Sequence, residues 1–250
     1  MLGFAISPKT LLAEVGACVA LLLRSRSDAV RRRTLTPYRP GGERYIPLVG
    51  AIGFLLSLAL GAAAVGESSP AGDAPAAEIA AYFVERQGGH LANTFLAGVG
   101  SFVLYPCFLA YLWRAIRLVE GEGGLCAPAA LIGGVALLGP LLIQLAGWGA
   151  AALQAGQRRD PAVAAALFDL GSTGFLIFPL PAALLVVATT LAARSGPLLP
   201  RWLAQAGLPV AAIMVLGAFP LGPFMFALFG LWLLAVAIAL FRSSSRKAVA

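Results

Sequence analysis

The chain has one histidine, His90, which heads a line of polar and small residues at helical spacing. Asn93, Thr94, Gly98, Ser101 and Tyr105 follow at i+3, i+4, i+8, i+11 and i+15, one face of an α-helix. Polar side chains inside an apolar run are costly, so they mark helix contacts or a solute path. Gln144 lies deep in another apolar run, a turn beyond Pro140, whose ring and missing N–H loosen backbone bonds. Asp169 stands at the start of a third, after Arg158, Arg159 and Asp160. His90, Asn93, Gln144 and Asp169 are therefore the candidate residues of a polar vestibule, with His90 the group able to titrate near neutrality. The competing account is helix packing. Small residues such as Gly50, Gly53, Ser57 and Gly61 let backbones approach, and Ser, Thr, Asn and Gln bond across helices for about 1 kcal/mol each. Asp169 also fits a helix N-terminal acid that complements the dipole. The span centres hold no ionised side chain, which favours packing.

Other chemistry is sparse. A single histidine excludes H-E-x-x-H and every multi-histidine metal site. A Ser-His-Asp arrangement could be built only on His90, with a nucleophile such as Ser172. Gly171-Ser-Thr-Gly174 is not a nucleophile elbow, because serine stands second rather than third. There is no P-loop, no dinucleotide-binding glycine motif and no carboxylate pair within a span. Cys18, Cys107 and Cys126 form no C-x-x-C pair and imply neither a disulfide framework nor a thiolate metal site. No catalytic residue, cofactor or metal is expected.

The elements that carry these residues suit lipid rather than water. The 250 residues are 60% hydrophobic and 12% charged, where a soluble domain carries about 25% charged residues. Apolar segments at 45–65, 91–113, 127–153, 170–192, 208–219 and 224–241 reach or approach the ~20 residues that cross a bilayer as helix. The fifth is short unless it begins near Trp202, and Pro220, Gly222 and Pro223 make a tight turn into the sixth. The expected fold is an all-α integral membrane protein, with six transmembrane helices in three hairpins filling residues 41–242.

Charge orients it. With the segment before Tyr45 taken as cytoplasmic and Lys9 left aside, fourteen basic residues fall on that side and only Arg86, Arg158 and Arg159 on the other. The positive-inside rule then puts both ends of the core, and a basic tail at 243–250, on the cytoplasmic side. The net charge of +7 is thus explained without nucleic acid. Anionic lipid headgroups are the expected counterion, met by the segment from Arg24 to Arg44.

Residues 11–23 are apolar but short, and Arg24 and Arg26 follow at once. They suit an interfacial or partly inserted helix within an N-terminal segment 1–40. Between the first two spans, Asp73 can cap a helix with Pro75 in its first turn, and Gly88–Gly89 can end it. Ile79, Tyr82, Phe83 and Arg86 fall at helical spacing there, so a short amphipathic helix is expected on the membrane surface or over the bundle. A helix that only tethers the two spans fits the same pattern.

Pro47, Pro128 and Pro209 are spaced 81 residues apart, each near the start of an outward-going span. Gly98-Val-Gly-Ser-Phe102 before Tyr105-Pro106 is matched by Gly171-Ser-Thr-Gly-Phe175 before Phe178-Pro179. Residues 41–118 and 121–194 then read as two copies of one hairpin in parallel orientation, with 203–241 a shortened third. A composition rich in Ala, Leu, Gly, Val and Pro also matches itself by chance, so both accounts stay open.

The stretches Arg39-Pro-Gly-Gly-Glu-Arg44, Ala77-Glu-Ile-Ala-Ala-Tyr-Phe83 and Leu112-Trp-Arg-Ala-Ile-Arg117 resemble the small multi-pass integral membrane proteins of high-GC actinobacteria. The resemblance covers residues 39–241 and is one of style. That group has no agreed activity, so the resemblance implies location and fold and no site residues. The leading expectation is a non-enzymatic scaffold or partner subunit, as a homo-oligomer or with another membrane protein. A small-solute or ion carrier, or a sensor, with a vestibule open to the outside is the alternative. An intramembrane enzyme comes third.

Overall fold

Pro47 opens the first long helix, where a missing N–H is harmless because first-turn donors have no intrahelical acceptor. This helix, α1 (Ile46–Val65), ends at Gly66, whose φ of 87° suits glycine and whose N–H bonds the Ala62 carbonyl at 3.3 Å. The computed structural model describes residues 43–66, 69–157, 160–218 and 221–249; among these every regular element is helical. The expected N-terminal helix at 11–23, Arg158, Arg159 and the Phe219–Pro220 turn lie outside the described residues.

After α1 come α2 (Ala76–Glu85), α3 (Gln87–Val99) and α4 (Tyr105–Glu120). A π turn at Gly100–Leu104 joins the last two, and Pro106 explains it. Its ring would collide with the carbonyl four residues back, so the helix widens and the Tyr105 N–H bonds Gly100 O, five back. Next are α5 (Cys126–Ala136) and α6 (Leu138–Gly156), which break at Leu137 ahead of Pro140. Then come α7 (Pro161–Ile177) and α8 (Pro179–Ser195), which break at Phe178. The chain finishes with α9 (Arg201–Leu216) and α10 (Gly222–Val249).

Five stretches are long and apolar enough to cross a membrane: Ile46–Val65, Gln87–Glu120, Cys126–Gly156, Pro161–Ser195 and Phe224–Ser243. That is the physical signature of a membrane protein. The sixth expected span is α9, which starts at Arg201 beside Trp202 but has only 16 residues. At 1.5 Å per residue it is about 24 Å long, short of a hydrocarbon core of about 30 Å.

Several boundaries differ from expectation for local reasons. The Asp160 carboxylate accepts the Ala162 N–H at 3.0 Å with Pro161 in the first turn, so α7 begins nine residues before the expected 170. Asp169 is therefore inside α7, not at its N-terminus, and the dipole account of it fails. Pro75, not Asp73, is the N-cap of α2, and its carbonyl accepts from Ile79 at 3.1 Å. That helix ends at Arg86 rather than Gly88–Gly89, which belong to α3. Gly89 instead lets α3 approach the Ala64 carbonyl on α1. Pro209 lies in the interior of α9, because that helix already starts after Pro200.

The helices form a closed bundle. α1 packs on α3 and α4, α4 on α5, α6 on α7, and α10 returns to α1. The central helix is α8, which touches α4, α5, α9 and α10 and buries Leu185, Val186, Ala188, Thr189 and Ala192. Phe54, Tyr105, Phe108, Leu112, Phe178, Phe229 and Leu233 fill the main core. Crossings are tight because they are made at glycines. A Cβ on Gly147 would lie 2.7 Å from Gly171 Cα, and one on Gly133 would lie 2.7 Å from the Leu185 nitrogen. Dispersion at this range replaces the hydrophobic drive that helices lose in lipid.

Gly147→Leu is expected to destabilise the bundle by about 1–3 kcal/mol through overpacking. Gly139→Ala, at a position with nothing within 4 Å, is expected to be neutral or stabilising. Thermal melts of detergent-solubilised protein, followed by the monodisperse fraction, compare the two.

Candidate functional site

α2, a ten-residue helix, packs against α6 and α7, and its sequence explains which face it turns to them. Ile79 and Phe83, four residues apart, are buried, while Ala77, Glu78, Ala81, Val84 and Glu85 are exposed. The buried pair rests on Ala151, Ala152 and Ala155 of α6 and on Ala164 and Phe168 of α7. Alanines make a flat floor. A single residue, Arg86 (φ −112°, ψ 23°), turns the chain from α2 into α3. His90, one turn into α3, therefore comes up beneath the aromatic residues of α2, its N–H bonded to Arg86 O at 3.0 Å.

The result is a ring of aromatics around an imidazole. The His90 ring centre is 4.5 Å from Phe83, 5.3 Å from Tyr82 and 6.3 Å from Trp148. Trp148 stacks on Phe168 at 5.9 Å, and its indole N–H donates to Phe168 O at 3.3 Å. On the outer side, the Arg86 guanidinium covers the Tyr82 ring at 5.1 Å and pairs with Glu85 at 3.1 Å.

His90 is 1% exposed, and neither ring nitrogen has a hydrogen-bond partner. An imidazole always carries at least one N–H donor. Each buried polar group left unmade costs about 1–3 kcal/mol, while each aromatic contact returns about 0.5–1.5 kcal/mol. The ring is held by packing against its own polarity.

The other sequence-predicted residues have different neighbours. Asn93 faces α1 and lies against Gly61. Thr94 turns to α6, where it packs on Gly149; its hydroxyl donates to His90 O at 2.9 Å and reaches Leu145 O at 3.5 Å. Gln144 lies against Gly171 and Gly174 of α7. Asp169 is exposed on α7. Further along the same face, Ser101 is fully buried with an unpartnered hydroxyl, and the buried Tyr105 donates to Gly134 O at 3.3 Å.

Among the described residues no hydroxyl or thiol is hydrogen-bonded to the His90 ring. The Ser172 hydroxyl donates to Phe168 O at 2.8 Å rather than to the imidazole. Among the described residues no group of three or more His, Cys, Asp or Glu could hold a metal. The cage residues Tyr82, Phe83, Trp148 and Phe168 were not singled out together by spacing. The one sequence signal is Gly171, where a Cβ would collide with the Trp148 ring. Comparison of the chain with protein-family models, with curated proteins and with solved structures finds no match.

His90→Phe keeps a ring in the cage and deletes both unpartnered nitrogens, so the melting temperature is expected to hold or rise. Trp148→Ala removes the ring shared by His90, Phe168 and Phe175 and is expected to cost about 3 kcal/mol. Parallel melts of the two variants test both directions.

Proposed function

We propose that the chain is a non-enzymatic polytopic protein of a bacterial cytoplasmic membrane, acting as a helical-bundle scaffold or as a subunit beside another membrane protein. The observation that carries this is the glycine-set core. The Asn93 amide, on the polar face best placed for a solute path, is pressed against Gly61 of α1, and the backbone and Cβ of Gln144 meet Gly171 and Gly174 of α7. Close backbone approach at small residues is how helices hold together in lipid.

The bundle crosses the membrane six times, as three hairpins, with both ends in the cytoplasm. Tyr45, at the start of α1, meets Phe241, late in α10, with ring centres 5.5 Å apart. Ends that touch support an even number of crossings, and α9 is counted as one despite its length. The arginine-bearing ends also gather. Arg194 Nε donates to Ala204 O at 3.1 Å, and Gly196 lies against Val119. With Arg44, Arg114, Arg117, Arg201 and Arg242 these make one basic end, which the positive-inside rule assigns to the cytoplasm. Anionic headgroups meet that end and the segment from Arg24.

Residues 41–118 and 121–194 are two parallel copies of one hairpin, because both inward rods break just before a proline, at Pro106 and at Pro179. The first copy alone carries α2. The layout is that of the actinobacterial multi-pass proteins it resembles. Phe95, 71% exposed on α3, is one of several large apolar side chains on the outside of the bundle, where a partner or a second copy would dock. A sensor or carrier opening outward is the second reading, favoured by the unpartnered nitrogens of His90.

In a background without native cysteines, Arg114→Cys and Arg194→Cys should resist an impermeant maleimide in intact cells, while Ala77→Cys should react. The reverse pattern overturns the topology. A photo-crosslinker at Phe95 should yield one discrete protein adduct in native membranes. Lipid adducts alone would reject the scaffold.

A further inference from the structure

α2 is a short helix held to the bundle by two buried side chains, Ile79 and Phe83. It meets α6 and α7 through an alanine floor, whereas the rods interlock at glycines. Its C-terminus turns through one residue, Arg86, and its N-terminus follows a stretch at 69–75 that holds no helix. What it covers is His90, with both ring nitrogens buried and unpartnered. Two of the three rings against His90, Tyr82 and Phe83, ride on α2 itself. Moving this helix would therefore uncover the imidazole.

We propose that α2 is a proton-operated lid: neutral His90 lets it sit on α6 and α7, and protonation of His90 lifts it. The proton comes from the aqueous medium and binds the free ring nitrogen, leaving two N–H donors and a positive charge. With the lid seated, neither ring nitrogen has a hydrogen-bond partner among the described residues. Within the cage, α6 contributes Trp148 and has no charged residue along its length. α1 and α3 have none except His90 itself.

From α7 comes Phe168, while the acids Asp160 and Asp169 are exposed. On the α2 side the Tyr82 phenol faces the ring, Glu78 and Glu85 are exposed, and Arg86 is itself positive. Arg158 and Arg159 lie outside the described residues. Attraction to ring faces is weaker than the hydration a buried cation gives up. A charged ring is better solvated with the lid off, so acidification favours opening.

The test uses purified full-length protein in nanodiscs, in a background lacking Cys18, Cys107 and Cys126. Ala152→Cys sits under the lid and Ala77→Cys on its exposed face, so the ratio of their maleimide labelling rates cancels the thiol's own pH dependence. From about pH 7.5 to about pH 5 the ratio should rise about tenfold with His90 present and stay flat in His90→Phe. Should Ala152→Cys fail to fold, Ala155→Cys, also under α2, replaces it. A flat ratio in the His90 chain means that the cage retains the imidazolium, and overturns the proposal. So does an equal rise in His90→Phe.

Discussion

A rod in lipid must satisfy its own backbone, because the surrounding solvent offers no donor or acceptor. Much of the irregularity in this bundle follows from that constraint acting on its prolines. Pro106, Pro140 and Pro179 each interrupt a long rod, and each interruption is absorbed locally, by a π turn or by a one-residue break between helices. Hydroxyls, too, are satisfied within their own helices. Thr94, Ser172, Thr173, Thr189 and Ser195 all donate to the carbonyl four residues back, so few polar side chains are left for anything else. His90 and Ser101 stand out because they escape this use.

Two kinds of contact then divide the molecule. At glycines such as Gly133 and Gly147 the backbones meet, and no side chain could be inserted without moving a helix. At the alanine floor under α2 the contact is broad but shallow, made by Ile79 and Phe83. Interlocked rods resist displacement, whereas α2 is held by the burial of two side chains, Ile79 and Phe83, and by the ring contacts of Phe83 with His90 and Phe168.

The rods were legible from apolar run length, since a span depends on summed composition and little else. Their ends were less so. Asp160-Pro161 is a strong helix start, yet the apolar stretch becomes unbroken only after Asp169, and run length overrode the cap. The buried face of α2 was legible in the spacing of Ile79 and Phe83, but Asp73 was a false cap because Pro75 already fixes the entry backbone. His90 could be placed on a helix face. Its surroundings could not, because Tyr82, Phe83, Trp148 and Phe168 come from three helices whose meeting depends on the turn at Arg86. Side chains shared between helices carry no period in the chain.

The three composite rods, of 34, 31 and 35 residues, also overshoot the membrane. The 34-residue rod is about 51 Å long at 1.5 Å per residue. Even at the steepest usual inclination, ~40°, it projects about 39 Å along the normal, beyond a hydrocarbon slab of about 30 Å. A rod of that length, taken as straight, reaches past the slab, and α2 packs against two of the composite rods. Membrane thickness becomes a structural variable of this shelf: a thicker bilayer would submerge it, and a thinner one would leave it dry-docked in water.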